Sequence, residues 1–381
     1  MDIKKIIYNL NLPLKKCIIL ESVPDFSDNT KYVYDELLKR NFNSKYKIIW
    51  FVAEKKKYSD IKIKNVYFFN RNKSFLDRLR FKFYNYFSRY IIDCNKYILK
   101  KNKNQFRLYL CHGMPMKLVL NYGSSCGKFD YMISTSSFFN KYISRIYNIE
   151  EKKIIVSGTP RNDAIFKNDN NIIFPDIQRK KTVIWMPTYR NHFESNTFEG
   201  RTNIVFKYGV PCIESQKQIT YLNEILKKND MLLIIKLHPA EDKKNLETLN
   251  LSNIKLLDSL YFEKNKKTIY DYLNGLDALI TDYSSIYYDF LLTKKMIGLV
   301  IPDLNEYEKH VPFCFGDYKK YIEGDYLYTF DDVVKFIINV EKNNDEKIDR
   351  RIELMKKYHK YIDGNSSKRI VDIIEKKMKE W

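Results

Sequence analysis

The chain has no Gly-x-Gly-x-x-Gly turn and no Gly-Lys-Ser/Thr loop, which disfavours a dehydrogenase and a P-loop ATPase. It has no Asp-x-Asp pair, so a metal-chelating, single-domain sugar-nucleotide transferase is disfavoured as well. Its six cysteines, Cys17, Cys94, Cys111, Cys126, Cys212 and Cys314, form no Cys-x-x-Cys pair. They signal neither a zinc site nor a disulfide framework, and reduced thiols in a cytoplasmic protein are expected. Apolar runs such as 48–53 and 231–235 have strand length, far short of the ~20 residues of a membrane span. Residues 1–12 carry Asp2, Lys4 and Lys5 and lack the apolar run of a signal peptide, so secretion is not expected.

What is present is enough chain for two domains: 381 residues, with 24 Phe and 31 Tyr to fill their interiors. Lys and Arg total 67 against 47 Asp and Glu, and the net charge of +20 favours anionic partners. Lys, Asn and Ile recur from end to end, so part of that excess belongs to overall composition. No dense basic tail argues for a nucleic-acid arm.

Short apolar runs alternate with segments of helical period, the pattern of parallel sheets covered by helices. Strands are predicted at 17–20, 46–52, 66–69, 90–93, 107–111, 131–134 and 154–157, with a helix over 31–40 behind the capping stretch Asp28-Asn29-Thr30. Residues 167–181 are polar and lack period, which places a linker there. A second set of strands is predicted at 182–186, 231–237, 254–256, 278–281 and 297–301, and helices rich in Lys and Glu close the chain. The expected division is 1–168, 169–345 and 346–381, the last helices returning to the N-terminal domain. Residues 73–89 read as a basic, aromatic helix whose Leu76, Leu79, Phe83 and Phe87 share one face beside Arg78, Arg80, Lys82 and Arg89. That face either packs on the sheet or lies at a membrane interface.

Unusual polar residues follow the strands. His112-Gly113-Met114-Pro115-Met116-Lys117 follows one, and Gly158-Thr159-Pro160-Arg161-Asn162-Asp163 another. In the second half the same is true of Pro187-Thr188-Tyr189-Arg190, His238-Pro239 and Asp282-Tyr283-Ser284-Ser285. Parallel sheets bind ligands outside the carboxyl ends of their strands, so these clusters predict a nucleotide-dependent transferase with a cleft between two domains. Ser284 and Ser285 open a predicted helix and can hold a phosphate oxygen or simply cap it. Arg161 and Arg190 can each fork onto a phosphate or close an ion pair. His112 and His238, two of five histidines, suit a general base or a stabiliser of phosphate charge, or are ordinary exposed histidines.

These motifs, with Lys236-x-His238-Pro239, Thr281-Asp282 and Asp289-Phe290, resemble the CDP-glycerol glycerophosphotransferase family of teichoic-acid primases, polymerases and capsule-polymer relatives. The resemblance extends to Glu21-Ser22, Asp28-Asn29, Pro302-Asp303, Tyr307, Asp363-Gly364 and Arg369. The chain departs from the family at Leu110-Cys111, where Thr-Trp is usual, and at Val311-Pro312-Phe313-Cys314, where a Pro-Gly pair is common.

The resemblance implies two Rossmann-like doubly wound α/β domains, the GT-B glycosyltransferase fold, with the nucleotide donor on the C-terminal domain and the acceptor on the N-terminal one. It implies His112 and His238 as the catalytic pair and Arg161, Thr188, Arg190, Asp282, Ser284, Ser285 and Arg369 as donor or phosphate contacts. Gly113, Pro115, Lys117, Gly158, Asp163 and Asp289 support them. No metal or other cofactor is expected. The donor implied is CDP-glycerol, with CDP-ribitol as the alternative polyol, and the acceptor is lipid-linked or polymeric. An anionic membrane surface is the expected partner, on the cytoplasmic face of the cell membrane, and nucleic acid is not. A glycosyltransferase using a nucleoside-diphosphate sugar is the rival reading.

Overall fold

The computed structural model describes residues 8–10, 13–95, 98–119, 128–167, 179–190, 204, 206–238, 244–257, 259–264 and 267–379. Cys126, Pro239 and most of the linker expected at 167–181 lie outside these residues. The chain divides into two compact units. The first holds residues 1–114, 120–164 and 359–381, the second 115–119 and 165–358.

The first unit carries seven parallel strands: β1 (Lys15–Glu21), β2 (Lys47–Val52), β3 (Val66–Asn70), β4 (Ser88–Asp93), β5 (Phe106–Tyr109), β6 (Tyr131–Ser134) and β7 (Ile154–Val156). Their spatial order is β3-β2-β1-β4-β5-β6-β7, every neighbouring pair being parallel. Continuous burial along β1, β2 and β4 explains their unbroken apolar runs, because both faces of the sheet are covered. The helix Ser137–Tyr147 buries Phe139, Ile143 and Ile146, a stripe of helical period. Arg40, just past the helix Asp28–Lys39, donates to Asp372 at 2.6 Å and ties that helix to Ser366–Lys379.

The helix Phe75–Phe87 turns the other way from a simple sheet-packing stripe. Phe81 meets Phe51 edge to face at 4.8 Å, and Tyr84 stacks on Phe69 at 5.6 Å. Asp77 and Asn85 are buried on that same side, whereas Leu76, Leu79 and Phe83 point outward. Aromatic partners on β2 and β3 choose the rings at 81 and 84, and the aliphatic stripe is left exposed.

The second unit has six parallel strands: β8 (Lys181–Trp185), β9 (Met231–Ile235), β10 (Ile254–Leu256), β11 (Ala278–Thr281), β12 (Met296–Val300) and β13 (Asp325–Leu327). Their order is β10-β9-β8-β11-β12-β13. Two helices on this sheet begin with capping boxes, Ser215 with Gln218 and Thr329 with Asp332. They bury Ile219, Leu222 and Leu226, and Val333, Phe336, Ile337 and Val340, against Val183, Leu233, Ile235 and Ile280. Both strand orders reverse direction in mid-sheet, between β1 and β4 in one unit and between β8 and β11 in the other. These are the places where a doubly wound sheet opens a ligand crevice at its carboxyl edge. Among the described residues, no helix is long and apolar enough to cross a membrane.

Candidate active site

In the second unit the motif residues stand on three neighbouring strand ends. His238 follows β9, Thr188 to Arg190 follow β8, and Asp282 to Ser285 follow β11, so the group lies at the sheet's reversal point. His238 is exposed, and its ring stacks on Tyr189 with centroids 5.0 Å apart and planes 18° from parallel. Ser284 and Ser285 are half-buried; Ser285 sits at the start of the short helix Ile286–Leu291 without a capping hydrogen bond from its hydroxyl.

Beneath them is a buried brace. The Asp282 carboxylate accepts from the Thr188 amide at 2.9 and 3.0 Å, the Thr188 hydroxyl at 2.6 Å, the Tyr283 amide at 2.6 Å and Arg190 Nη1 at 2.8 Å. Arg190 Nε and Nη2 fork onto Asp303 at 2.8 and 3.3 Å, and Nη1 also reaches the Thr188 carbonyl at 2.8 Å. Its guanidinium lies 4.7 Å from the Tyr283 ring and 5.0 Å from Tyr307, two rings that stack on each other at 4.0 Å. Burial alone would lower the Arg190 pKa; Asp282 and then Asp303 more than offset it and hold the charge in place. Burial, followed by the Asp303 charge, raises the Tyr283 phenol, whose hydroxyl donates to Asp303 at 2.9 Å. The residues implied as phosphate contacts at Thr188, Arg190 and Asp282 therefore hydrogen-bond to one another. Asp289 is likewise engaged inside the unit, accepting from the Tyr270 hydroxyl at 2.8 Å.

Pro115 and Lys117 also belong to the second unit. Their segment is stitched to 312–314 by Leu118 N to Pro312 O at 2.8 Å and Cys314 N to Met116 O at 2.9 Å, with a bridge between Lys117 and Phe313. Lys117 Nζ lies 5.7 Å from the Tyr307 ring centre. The Val-Pro-Phe-Cys departure from the family pattern is thus the stretch that holds the segment following His112.

In the first unit, His112 stands exposed after β5 on a turn where Cys111 has φ 45° and Gly113 φ 152°, a backbone only glycine adopts readily at 113. The fully buried Asn29 holds this turn. Its Nδ2 donates to the carbonyls of Leu110 and Cys111 at 3.2 and 2.9 Å, and its Oδ1 accepts from the Arg161 amide at 3.0 Å. Arg161 Nη1 in turn donates to the His112 carbonyl at 2.8 Å and to Asp28 at 2.9 Å. Arg161 so braces the histidine's own backbone.

Gly158, Asp163 and Arg369 gather elsewhere in this unit, around the start of the helix Ser366–Lys379. Asp163 accepts from the amides of Ser366 and Ser367 at 2.8 and 2.7 Å, and burial raises its pKa despite those donors. A Cβ on Gly158, at φ +82°, would collide with the Ser366 hydroxyl. Arg369 forks onto Asp363 at 2.8 Å through both terminal nitrogens, donates from Nε to the Ser157 carbonyl at 2.9 Å and covers Tyr361 at 3.9 Å.

Two parallel-sheet units of this kind make up a GT-B-like fold. The wall teichoic acid polymerase TagF, in a solved structure of a variant soaked with CDPG, matches with a TM-score of 0.73 at 19% identity, covering 96% of this chain and 90% of that one. A teichoic acid poly(glycerol phosphate) polymerase of Bacillus spizizenii is 26% identical over 390 residues, 94% of this chain and 91% of that protein. The teichoic acid ribitol-phosphate polymerase TarL of Staphylococcus aureus is 24% identical over 377 residues, 92% of this chain and 60% of that protein. The model of the CDP-glycerol:poly(glycerophosphate) glycerophosphotransferase family matches residues 6–376, and the chain belongs to that family.

Sequence reasoning missed Tyr189, which occupied a variable place in its motif, and the bracing roles of Asn29 and Asp303. The pairing of Asp28-Asn29 with the motif at Arg161 was visible only as a resemblance; no local pattern announces a contact spanning more than a hundred residues.

Proposed function

We propose that the chain transfers glycerol phosphate from CDP-glycerol to a hydroxyl of a teichoic-acid-type acceptor and releases CMP. The observation that carries this reading is the placement of the family's motif residues on the adjacent ends of β9, β8 and β11, where a doubly wound sheet takes a nucleotide. The acceptor oxygen attacks the β-phosphorus, the bond from that phosphorus to the bridging oxygen breaks, and the electron pair leaves with CMP. His112 takes the hydroxyl proton. His238, Ser284 and Ser285 meet the charge of the transferred group. Arg190, Asp282 and Thr188 act at one remove by holding the strand ends that carry these side chains, and Arg161 does the same for His112.

Similar identity to glycerol-phosphate and ribitol-phosphate polymerases keeps CDP-ribitol as the second donor to test. The test is CMP release by purified protein from each donor, with and without a lipid-linked or polymeric acceptor. Acceptor-dependent release names the donor. Silence with both, while a nucleotide sugar is consumed, overturns the reading.

A further inference from the structure

Three consecutive carbonyls of the turn that carries His112 lead back to one junction in the first unit. Asn29 donates to those of Leu110 and Cys111. Arg161 donates to that of His112, and is itself held by Asp28 at 2.9 Å and, through its amide, by the Asn29 side chain. Asp28 and Asn29 open the helix Asp28–Lys39. Ser27, at its N-cap, makes no capping hydrogen bond from its side chain, so this helix start takes its place from the loop that leads into it.

That loop is held in a costly conformation. Phe26 and Asp28 both have φ 53°, in the left-handed region. An aspartate tolerates it, whereas a bulky aromatic residue there is an outlier that its surroundings must enforce. The surroundings are four rings that meet Phe26 edge to face: Tyr34 at 5.3 Å, Trp50 at 5.0 Å, Tyr58 at 5.4 Å and Phe68 at 5.3 Å. Trp50 and Phe68 belong to β2 and β3 and Tyr34 to the helix itself, so the ring pins the helix start to the sheet. Lys31 Nζ covers the ring at 4.9 Å. On either side of it, Asp25 accepts from the Ala53 amide and from Arg71 at 3.2 Å, and the Ser22 hydroxyl accepts from the Ser27 amide at 3.0 Å. An apolar residue just before an N-cap that packs on its own helix fixes the angle at which the chain enters. A ring needed only for burial would not require a left-handed backbone, and Phe26 stays partly exposed.

We propose that Phe26 is a positioning residue for His112: seated among four rings, it sets the entry of the helix and, through Asp28, Asn29 and Arg161, the place of the imidazole. The catalytic part of this inference rests on the reading of His112 as the base; the placement does not.

The test compares Phe26→Ala, and the milder Phe26→Leu, with Phe42→Ala. Phe42 is 8% exposed and packs on Tyr46 before the amino end of β2, so its loss removes a ring at the opposite edge of the same sheet. Each variant is followed by the NMR signals of isotope-labelled histidine rings, His112 being assigned by its loss in His112→Ala. Steady-state kinetics is measured below every variant's unfolding temperature. Phe26→Ala is expected to shift the His112 resonance, to leave that of His310 in the second unit unmoved, and to lower kcat on the order of tenfold or more at unchanged donor KM. Phe26→Leu falls between, and carries the test if the alanine variant does not fold; Phe42→Ala moves neither resonance nor kcat. Phe26→Ala combined with Asn29→Ala is expected to cost little more than the larger single loss, because both act on the same turn. An unmoved His112 resonance in Phe26→Ala, an unchanged kcat, equal effects from Phe42→Ala, or additive losses with Asn29→Ala overturns the inference. A parent without turnover overturns the reaction proposed above instead, and the His112 resonance then decides the placement alone.

Discussion

Tyr189 and His238 stack ring on ring at 5.0 Å, although one follows β8 and the other β9. A flat aromatic wall fixes the plane of an exposed imidazole, and an aromatic pair of this kind is worth roughly 0.5–1.5 kcal/mol. If His238 stabilises the transferred phosphate, Tyr189→Phe keeps turnover near the parent value. Tyr189→Ala lowers kcat by about tenfold, the upper end of that range. Steady-state kinetics on the two variants checks this; equal losses in both would point to the phenol hydroxyl instead of the stack.

The brace and the serines above it in the second unit should fail differently. Arg190→Ala leaves the Asp282 and Asp303 carboxylates buried without their cation, a loss of roughly 3–5 kcal/mol. Denaturant unfolding of this variant is expected to show that deficit, with activity lost alongside it. Ser285→Ala removes a hydroxyl that caps nothing, so its unfolding midpoint stays put while kcat/KM for the donor falls. A stable Arg190→Ala protein with a raised KM would return Arg190 to direct phosphate contact.

Asn29 offers a cleaner separation of position from chemistry. Replacing its amide by the isosteric acid in Asn29→Asp sets a carboxylate against the carbonyls of Leu110 and Cys111, which accept and cannot donate. The expected cost is at least about 1–3 kcal/mol of stability, from the buried groups left unsatisfied. Turnover should fall in parallel, because the turn carrying His112 loses its tether. His112→Ala, at an exposed side chain, should instead abolish turnover with little change in unfolding.

Much of this architecture is legible in the residues. β6, β10 and β11 coincide with their predicted bounds: the apolar stretches of β6 and β11 are buried in a covered parallel sheet, whereas β10, an edge strand, alternates an exposed lysine with its Ile and Leu. β13 was missed: Asp325–Leu327 is three residues long, opens on an acid and lies at the sheet edge, where burial does not demand an apolar run. The strand-end positions of His112 and His238 could be read from sequence, since polar residues directly after apolar runs mark the carboxyl edge. What each motif residue touches could not. Arg190 meets Asp303 across 113 residues, and a guanidinium suited to a phosphate is equally suited to a pair of buried carboxylates.

Glu21, at the end of β1, gives the stability a pH dependence of unusual sign. It is fully buried; burial first, then the Asp93 charge, raises its pKa from 4.5 to about 8, against a smaller lowering by Arg71, whose Nη2 lies 3.8 Å away. A carboxyl whose folded pKa exceeds its unfolded one binds its proton more tightly when folded. Its contribution is therefore complete below the unfolded value and is lost as pH rises through the interval from 4.5 to about 8. Glu21→Gln keeps the shape and cannot ionise, so its unfolding free energy should fall less than the parent's between pH 5 and pH 8, with the curves closest at the acid end. Chemical denaturation at several pH values checks the difference, and parallel curves would mean that Arg71 holds Glu21 ionised throughout.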